Sequence, residues 1–347
     1  MGGQVHRQKM ISGEENFGCM LEHGPMPEDR TPNRTNFCER TGVDGIGPVV
    51  VTGSSGLIGT AVCQSLRHCG HEVRRLVRRE PERDDEYRWD PDADVIDAAV
   101  FSGARSVVHL AGAPVATRWT KTMKNRIHRS RVGGTRQIHA AASRVFSVRT
   151  LVCASAIGFY GFDPSQPAAS ESTGSGDGFL AEVCRAWEES ARTAISGDSN
   201  AQLTIARIGV VLDVNGGMLS HLLACARRLG RIPIVGSGEQ LISWVSLNDC
   251  VESIRFCLAN EISGPVNIVS PNTVSQRELA ENLADRIGMK TVVIPSLFIR
   301  CTAGRMGQEV ILGGRRVGPT RLVDSGYPFA NLELGSFLDR LHIRDIS

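Results

Sequence analysis

The chain has 347 residues, 41% of them hydrophobic, with 39 Lys plus Arg against 37 Asp plus Glu. That length supports one large domain or two modest ones around a substantial core, and the even charge balance argues against nucleic acid as a partner. No apolar run reaches the ~18 residues of a membrane span, and the ten cysteines form no C-x-x-C pair or His/Cys cluster, so no zinc or disulfide framework is expected and a reducing, cytoplasmic setting is.

Residues 1–47 mix Gly, Pro, Asn and Thr with five basic and seven acidic side chains and show no apolar period. They read as a disordered N-terminal tail or an over-extended start, without the apolar stretch of a signal peptide. From Pro48 onward, strands alternate with helices. Val49–Thr52 reads as a strand and Leu57–Cys69 as a helix ending near Gly70. Glu72–Val77 is a second strand, followed by a weak one around Arg88 and Trp89, and Ser106–Leu110 is the next. Thr120–Val145 is a long helix in which Gly133 and Gly134 permit close approach to a neighbour. Arg149–Ala154, Asp177–Ile195 and Gln202–Arg207 continue as strand, helix and strand. This rhythm predicts an α/β fold, a Rossmann-type doubly wound parallel sheet over residues 48–212. Residues 213–347 break the rhythm and read as a smaller mixed α/β lobe with strands returning to the sheet. Its strands are Ile232–Val235, Leu241–Val245 and Val266–Val269. Its helices are Asp249–Ala259, Gln276–Ile287 and two short stretches near Arg321 and Leu334.

The stretch Val49 to Gly59 carries the first functional signal. A β-branched run ends in glycines at G-x-x-G-x-x-G spacing, and an apolar-periodic helix follows at once. Gly53 permits a tight turn, Gly56 lets a pyrophosphate approach the backbone, and Gly59 lets the helix lie close on the sheet. The amides opening the helix then face negative phosphates. Gly53, Ser54, Ser55, Gly56, Leu57 and Ile58 are therefore candidate dinucleotide contacts; the competing reading is a structural turn. The second strand ends Leu76-Val77-Arg78-Arg79. An NAD site carries a carboxylate there, whereas a guanidinium suits a 2′-phosphate. Val77 and Arg78 thus point to NADP(H), against the alternative of a solvated basic turn. Leu110, Ala111 and Gly112 end the next strand with small residues past which a ribose and diphosphate can run.

These segments resemble a known family. T-G-S-S-G-L-I-G (52–59), R-W-D-P (88–91), H-L-A-G (109–112), S-R-V-G-G-T-R (130–136), A-S-A-I-G-F-Y-G (154–161), G-F-L-A-E-V-C-R-A-W-E (178–188), R-I-G-V-V-L (207–212), S-W-V-S-L-N-D (243–249) and G-P-V-N-I-V-S-P (264–271) are similar to the atypical "epimerase family protein" branch of the extended short-chain dehydrogenase/reductase superfamily. The resemblance covers Val49 to about Leu341. It implies NADP(H) as cofactor, a small-molecule substrate, no membrane or nucleic-acid partner, and pairing into a homodimer through two long helices. It also gives Arg131 a phosphate-binding role on the long helix.

The superfamily's proton chemistry uses Tyr-x-x-x-Lys, but residues 180–184 read Leu-Ala-Glu-Val-Cys. Ser155 and Tyr160 remain as catalytic candidates, although superfamily spacing puts Ala156 at the usual hydroxyl position. Arg207, ending its strand, is a candidate for holding an acidic substrate group. Glu188 reads as a proton acceptor or a helix-face ion pair, Asp249 as an N-cap, and His109 as a buried, satisfied imidazole. The nine histidines show no metal spacing. Two functions follow: an NADP(H)-dependent oxidoreductase or epimerase-like enzyme on a small polar substrate, or a non-catalytic NADP(H)-binding redox sensor.

Overall fold

Val49, Val50 and Val51 point alternately to the two faces of a central strand, and all three are buried. Such a strand needs helices on both sides. The computed structural model, which describes residues 47–195, 199–341 and 343, supplies them. Apart from Gly47, the segment read as a tail lies outside the described residues.

The main sheet contains β1 (Val49–Thr52), β2 (Val73–Val77), β3 (Glu86–Asp90), β4 (Val95–Ile96), β5 (Ser106–His109), β6 (Thr150–Ala156) and β7 (Gln202–Ile208). It is completed by a strand from the lobe, β12 (Gly264–Ile268), and runs β12-β7-β6-β5-β1-β2-β3-β4. Only the β3–β4 pair is antiparallel. Strand order reverses between β1 and β5, so a crevice opens at their carboxyl ends.

On one face, α1 (Leu57–His68) packs with α5 (Leu247–Ala259) over Val49, Val51, Val152 and Ile205. On the other, α2 (Lys121–Ser143) pairs with α3 (Phe179–Thr193), and α2's Ile138 joins Val50, Val107 and Leu151. Thr120 caps α2 by accepting from the Met123 amide. Of the two helical glycines, Gly134 faces the Trp89 ring, where an added Cβ would lie 3.3 Å away; Gly133 meets nothing within 4 Å.

The lobe has a core of its own, around Leu219, Ile234, Trp244, Leu283 and Phe337. Its parallel pair is β9 (Arg231–Val235) with β14 (Lys290–Ile294). The segment expected as one strand, Leu241–Val245, divides into β10 (Leu241–Ile242) and β11 (Trp244–Ser246). β10 pairs with β13 (Val274–Ser275), and β11 pairs with β8 (Val210–Asp213). Among the elements not anticipated are β14, α4 (Gly217–Leu229) and α7 (Ser296–Met306). α7 buries none of its residues, so it has no apolar stripe to read. α6 (Gln276–Ile287) holds its expected bounds, with Ser275 as N-cap accepting from the Glu278 amide. A π turn (Gly307–Ile311), α8 (Thr320–Asp324) and α9 (Leu334–Arg340) close the chain.

One expected cap moves. α5 begins at Leu247, and its N-cap is Ser246, whose hydroxyl accepts from the Asp249 amide. Asp249 sits one turn in and ties down the C-terminal segment, accepting from the Ala330 amide and the Asn331 side chain, each at 2.8 Å. Cys63, Cys153, Cys184, Cys225, Cys250, Cys257 and Cys301 are free thiols; among the described cysteines Cys69 is the exception. No His/Cys/Asp/Glu group among the described residues could hold a metal, and no described helix is long and apolar enough to cross a membrane.

Candidate functional site

The glycine turn has the geometry its spacing anticipates. Gly53 has φ +68°, and a Cβ there would lie 2.8 Å from the Leu110 carbonyl carbon. At Gly59 a Cβ would sit 2.1 Å from the Gly53 oxygen, so only glycine lets α1 lie this close to β1. At Gly56 a Cβ would meet only the Gly53 oxygen, at 3.4 Å. Space is open above Gly56, and no side chain caps α1. The amides of Leu57, Ile58 and Gly59 are first-turn donors without intrahelical acceptors. Ser55 and Gly56 are exposed, and Ser54 is buried, its carbonyl accepting from Thr60 Oγ1.

Behind the turn lies a buried polar chain that sequence reasoning only half located. Thr52 Oγ1 accepts from the Leu110 and Ala111 amides, both at 3.2 Å, and lies 2.8 Å from His109 Nδ1. With both lone pairs engaged, the Thr52 hydroxyl must donate to Nδ1, which places the ring proton on Nε2. Nε2 then donates to Thr135 Oγ1 at 3.0 Å, which also accepts from Trp187 Nε1 at 2.8 Å. Burial, with His139 beside it, pushes the His109 pKa down to about 3, so the imidazole stays neutral. The Leu110–Ala111 backbone is thus pinned to β1 by a chain that spans β5, α2 and α3. Thr52 and Thr135 escaped notice; the one available signal was a threonine closing a buried strand directly before the glycines.

Arg131 lies beneath Gly112, where an added Cβ would be 3.1 Å from its Cζ. It donates to the Ala113 carbonyl at 3.0 Å and stacks on Trp187 at 5.0 Å. No carboxylate pairs with it among the described residues, and burial lowers its pKa from the usual arginine range. At the end of β2, Val77 is half-buried and Arg78 exposed. Arg79 is occupied by Glu86 at 2.7 Å and Glu82 at 3.4 Å, whereas no described carboxylate pairs with the Arg78 guanidinium.

Ser155, Tyr160 and Arg207 do come together, but below the surface, around one ion pair. Arg207 meets Glu188 through two bonds of 2.8 Å, with side-chain exposures of 4% and 1%. Ser155 Oγ donates to Glu188 Oε1 at 2.8 Å. The Tyr160 hydroxyl donates to Asn267 Oδ1 at 2.7 Å and accepts from Arg207 Nη1 at 2.8 Å. Burial, partly offset by Arg207, raises the Tyr160 pKa above the ordinary phenol range. Phe159 covers the guanidinium at 3.6 Å. Both hydroxyls thus donate to other side chains, and the Arg207 charge is paired with Glu188. Leu180 and Cys184 occupy the dyad positions, and burial pushes the Cys184 thiol up to about 11.

Glu309, from the π turn, was not anticipated; an acid 129 positions or more from the amides it caps leaves no local signal. α3 starts after Gly178 (φ +107°) with no cap of its own, and Glu309 reaches across to accept from the Phe179 amide at 3.2 Å and the Leu180 amide at 3.1 Å. Glu309→Ala is expected to cost about 1–2 kcal/mol, the usual worth of an N-cap. Denaturant unfolding would read that loss, and hydrogen exchange should accelerate at Phe179 and Leu180. Unchanged exchange at those two amides would mean that the cap does not form.

Beyond β6, between Ile157 and the lobe, lies a cleft of about 60 Å³. A family model described as the NAD dependent epimerase/dehydratase family matches residues 49–269, and a domain of unknown function, DUF1731, matches residues 294–341. Epimerase family protein Mb2239 of Mycobacterium bovis is 35% identical over 293 residues, which is 84% of this chain and 96% of that protein. The structure of human epimerase family protein SDR39U1 (isoform 2) with NADPH has a TM-score of 0.76 at 27% identity, covering 85% of this chain and 99% of that one. A nucleoside-diphosphate sugar epimerase from Corynebacterium glutamicum has a TM-score of 0.72 at 31% identity, covering 89% of this chain and 61% of that one.

Proposed function

This chain belongs to the NAD-dependent epimerase/dehydratase family, with a DUF1731 segment at its C-terminal side, and from that premise we propose that it binds NADP(H) and acts as an oxidoreductase or epimerase-like enzyme on a small substrate. The observation that carries the reading is the cradle over Gly56: open space at an uncapped helix start, with no side chain in the way. Such a helix start fits a diphosphate. The human relative solved with NADPH agrees with it.

When bound, the cofactor supplies hydride chemistry at its nicotinamide C4. The chain's own residues do the rest. Leu57, Ile58 and Gly59 amides hold the diphosphate at the positive end of α1. Thr52 keeps the Leu110–Ala111 loop low, so that the nucleotide can pass over Gly112. Arg131, free of any described carboxylate, supplies positive charge beside that path. Arg78 takes the 2′-phosphate, because Arg79 is spent on Glu86. With Leu180 and Cys184 in place of the dyad, proton transfer falls to water or to the substrate itself.

A second reading, a non-catalytic NADP(H)-binding sensor, is favoured by that same missing dyad and by the buried partners of Ser155 and Tyr160. A panel of carbonyl compounds added to the NADPH complex separates the two, since a sensor leaves the bound NADPH unoxidised. The cofactor reading is tested by Gly56→Val. The new side chain has room in the protein but fills the phosphate space. NADPH affinity is expected to fall about a hundredfold with an unchanged melting temperature. Unchanged affinity would remove the cradle as the phosphate site.

A further inference from the structure

The cleft beyond β6 has a composition that selects among substrates. Its walls come from five places in the chain: Ile157 and Phe162 after β6, Val210 on β8, Met218 on α4, Leu241 on β10, and Ile311 in the π turn. All six are apolar. The polar side chains that line it are already engaged. Gln276 donates to the Pro233 carbonyl and accepts from the Val235 amide. Ser243 donates to the Arg315 carbonyl and accepts from the Val317 amide. Gln240 spends its amide nitrogen on the Val235 and Ile311 carbonyls.

Arg315 is the one charged residue lining the cleft among the described residues. Its guanidinium donates to the Tyr160 carbonyl at 2.6 Å and to the Pro167 carbonyl at 3.3 and 3.4 Å. These acceptors are neutral, and no described carboxylate lies within ion-pair distance of it. Its charge is held in place at the edge of an apolar space, near enough to the exposed Asp163 carboxylate to help lower its pKa.

A nucleoside-diphosphate sugar presents two phosphates and a ring of hydroxyls. This cleft offers one cation and no uncommitted set of hydrogen-bonding side chains, so most of those groups would be buried without partners. An apolar body with one anionic group matches both the walls and Arg315. We infer that the second ligand of this protein is a small, largely apolar compound bearing a single carboxylate, read by Arg315, and not a nucleotide sugar. The inference rests on the cofactor reading for its chemistry but not for its cleft, whose walls belong to the chain alone.

The test is calorimetry on the full chain saturated with NADPH, using 2-naphthoate as an apolar monocarboxylate and UDP-glucose as the nucleotide sugar. The expected result is heat with 2-naphthoate and none with UDP-glucose at the same concentration. Arg315→Gln should weaken 2-naphthoate by about ten- to a hundredfold, as for a charge-assisted hydrogen bond, without moving the NADPH affinity. Met218→Trp, which fills the cleft, should abolish 2-naphthoate binding. Binding of UDP-glucose, no binding of 2-naphthoate, or indifference of 2-naphthoate to either variant overturns the inference. Should NADPH itself fail to bind, the cofactor reading falls alone, and the same 2-naphthoate titration on the cofactor-free chain still decides the cleft.

Discussion

Replacing Glu188 with alanine is expected to destabilise the folded chain by about 3–5 kcal/mol, the range for breaking a buried ion pair by removing one partner. The variant leaves the Arg207 guanidinium buried under Phe159 with no anion, since Glu188 supplies both of its carboxylate contacts. It also strips the acceptor from Ser155. Arg192 should matter less, because its side chain is 46% exposed and its charge can turn to water. Urea unfolding measures the loss, which corresponds to a melting temperature lower by roughly 5–15 °C. Glu188→Leu combined with Arg207→Met should recover much of the stability, since no charge is then stranded. A loss below about 1 kcal/mol in Glu188→Ala would show that the pair is solvated and that its two bonds do not organise the region.

Acid should destabilise the protein well above the pH at which carboxylates titrate. Burial lowers the His109 pKa to about 3 and the His139 pKa to about 4, both from an ordinary 6.5. A histidine depressed in the folded state binds its proton first in the unfolded chain. Stability is therefore full above pH 6.5 and falls as pH drops below it, down to the folded values. Each imidazole contributes up to about 1.4 kcal/mol per pH unit in that window, so the pair removes about 4 kcal/mol between pH 7 and pH 5. The physical barrier is plain at His139, whose Nδ1 donates to the Ala191 carbonyl while its buried Nε2 has no hydrogen-bond partner to receive a new charge. Unfolding free energies at pH 7, 6 and 5 test this, and His139→Phe should flatten about half of the slope. A flat profile from pH 7 to pH 5 would mean that both rings are protonated in the folded state.

The parts of this fold that were legible in the sequence are those where local chemistry and long-range packing ask for the same residue. Val49–Thr52 needs β-branched residues as a strand and again as the buried centre of a parallel sheet. Gly53 and Gly59 are required by a turn and by backbone contact, and no side chain elsewhere can substitute for them. Ser155, Tyr160 and Arg207 were located at the correct strand end, yet their direction depends on Glu188, which arrives from a helix packed on the far side of the strand. A hydroxyl's address says where it lies, and only its partners say whether it faces a ligand. The Asp249 cap moved by three residues for a similar reason: Ser246 could start the helix earlier because β11 ends there. α7 and Glu309 were invisible, the first because it buries nothing, the second because its role is a contact across more than a hundred residues.

The account's central claim is that the α1 amides grip a dinucleotide diphosphate while Arg78 selects the phosphorylated form. Paired calorimetric titrations with NADPH and NADH test it most directly. The wild-type chain should bind NADPH about ten- to a hundredfold more tightly than NADH, and Arg78→Ala should erase most of that difference. Equal affinities would remove Arg78 from the account, and no heat with either nucleotide would contradict it at its foundation.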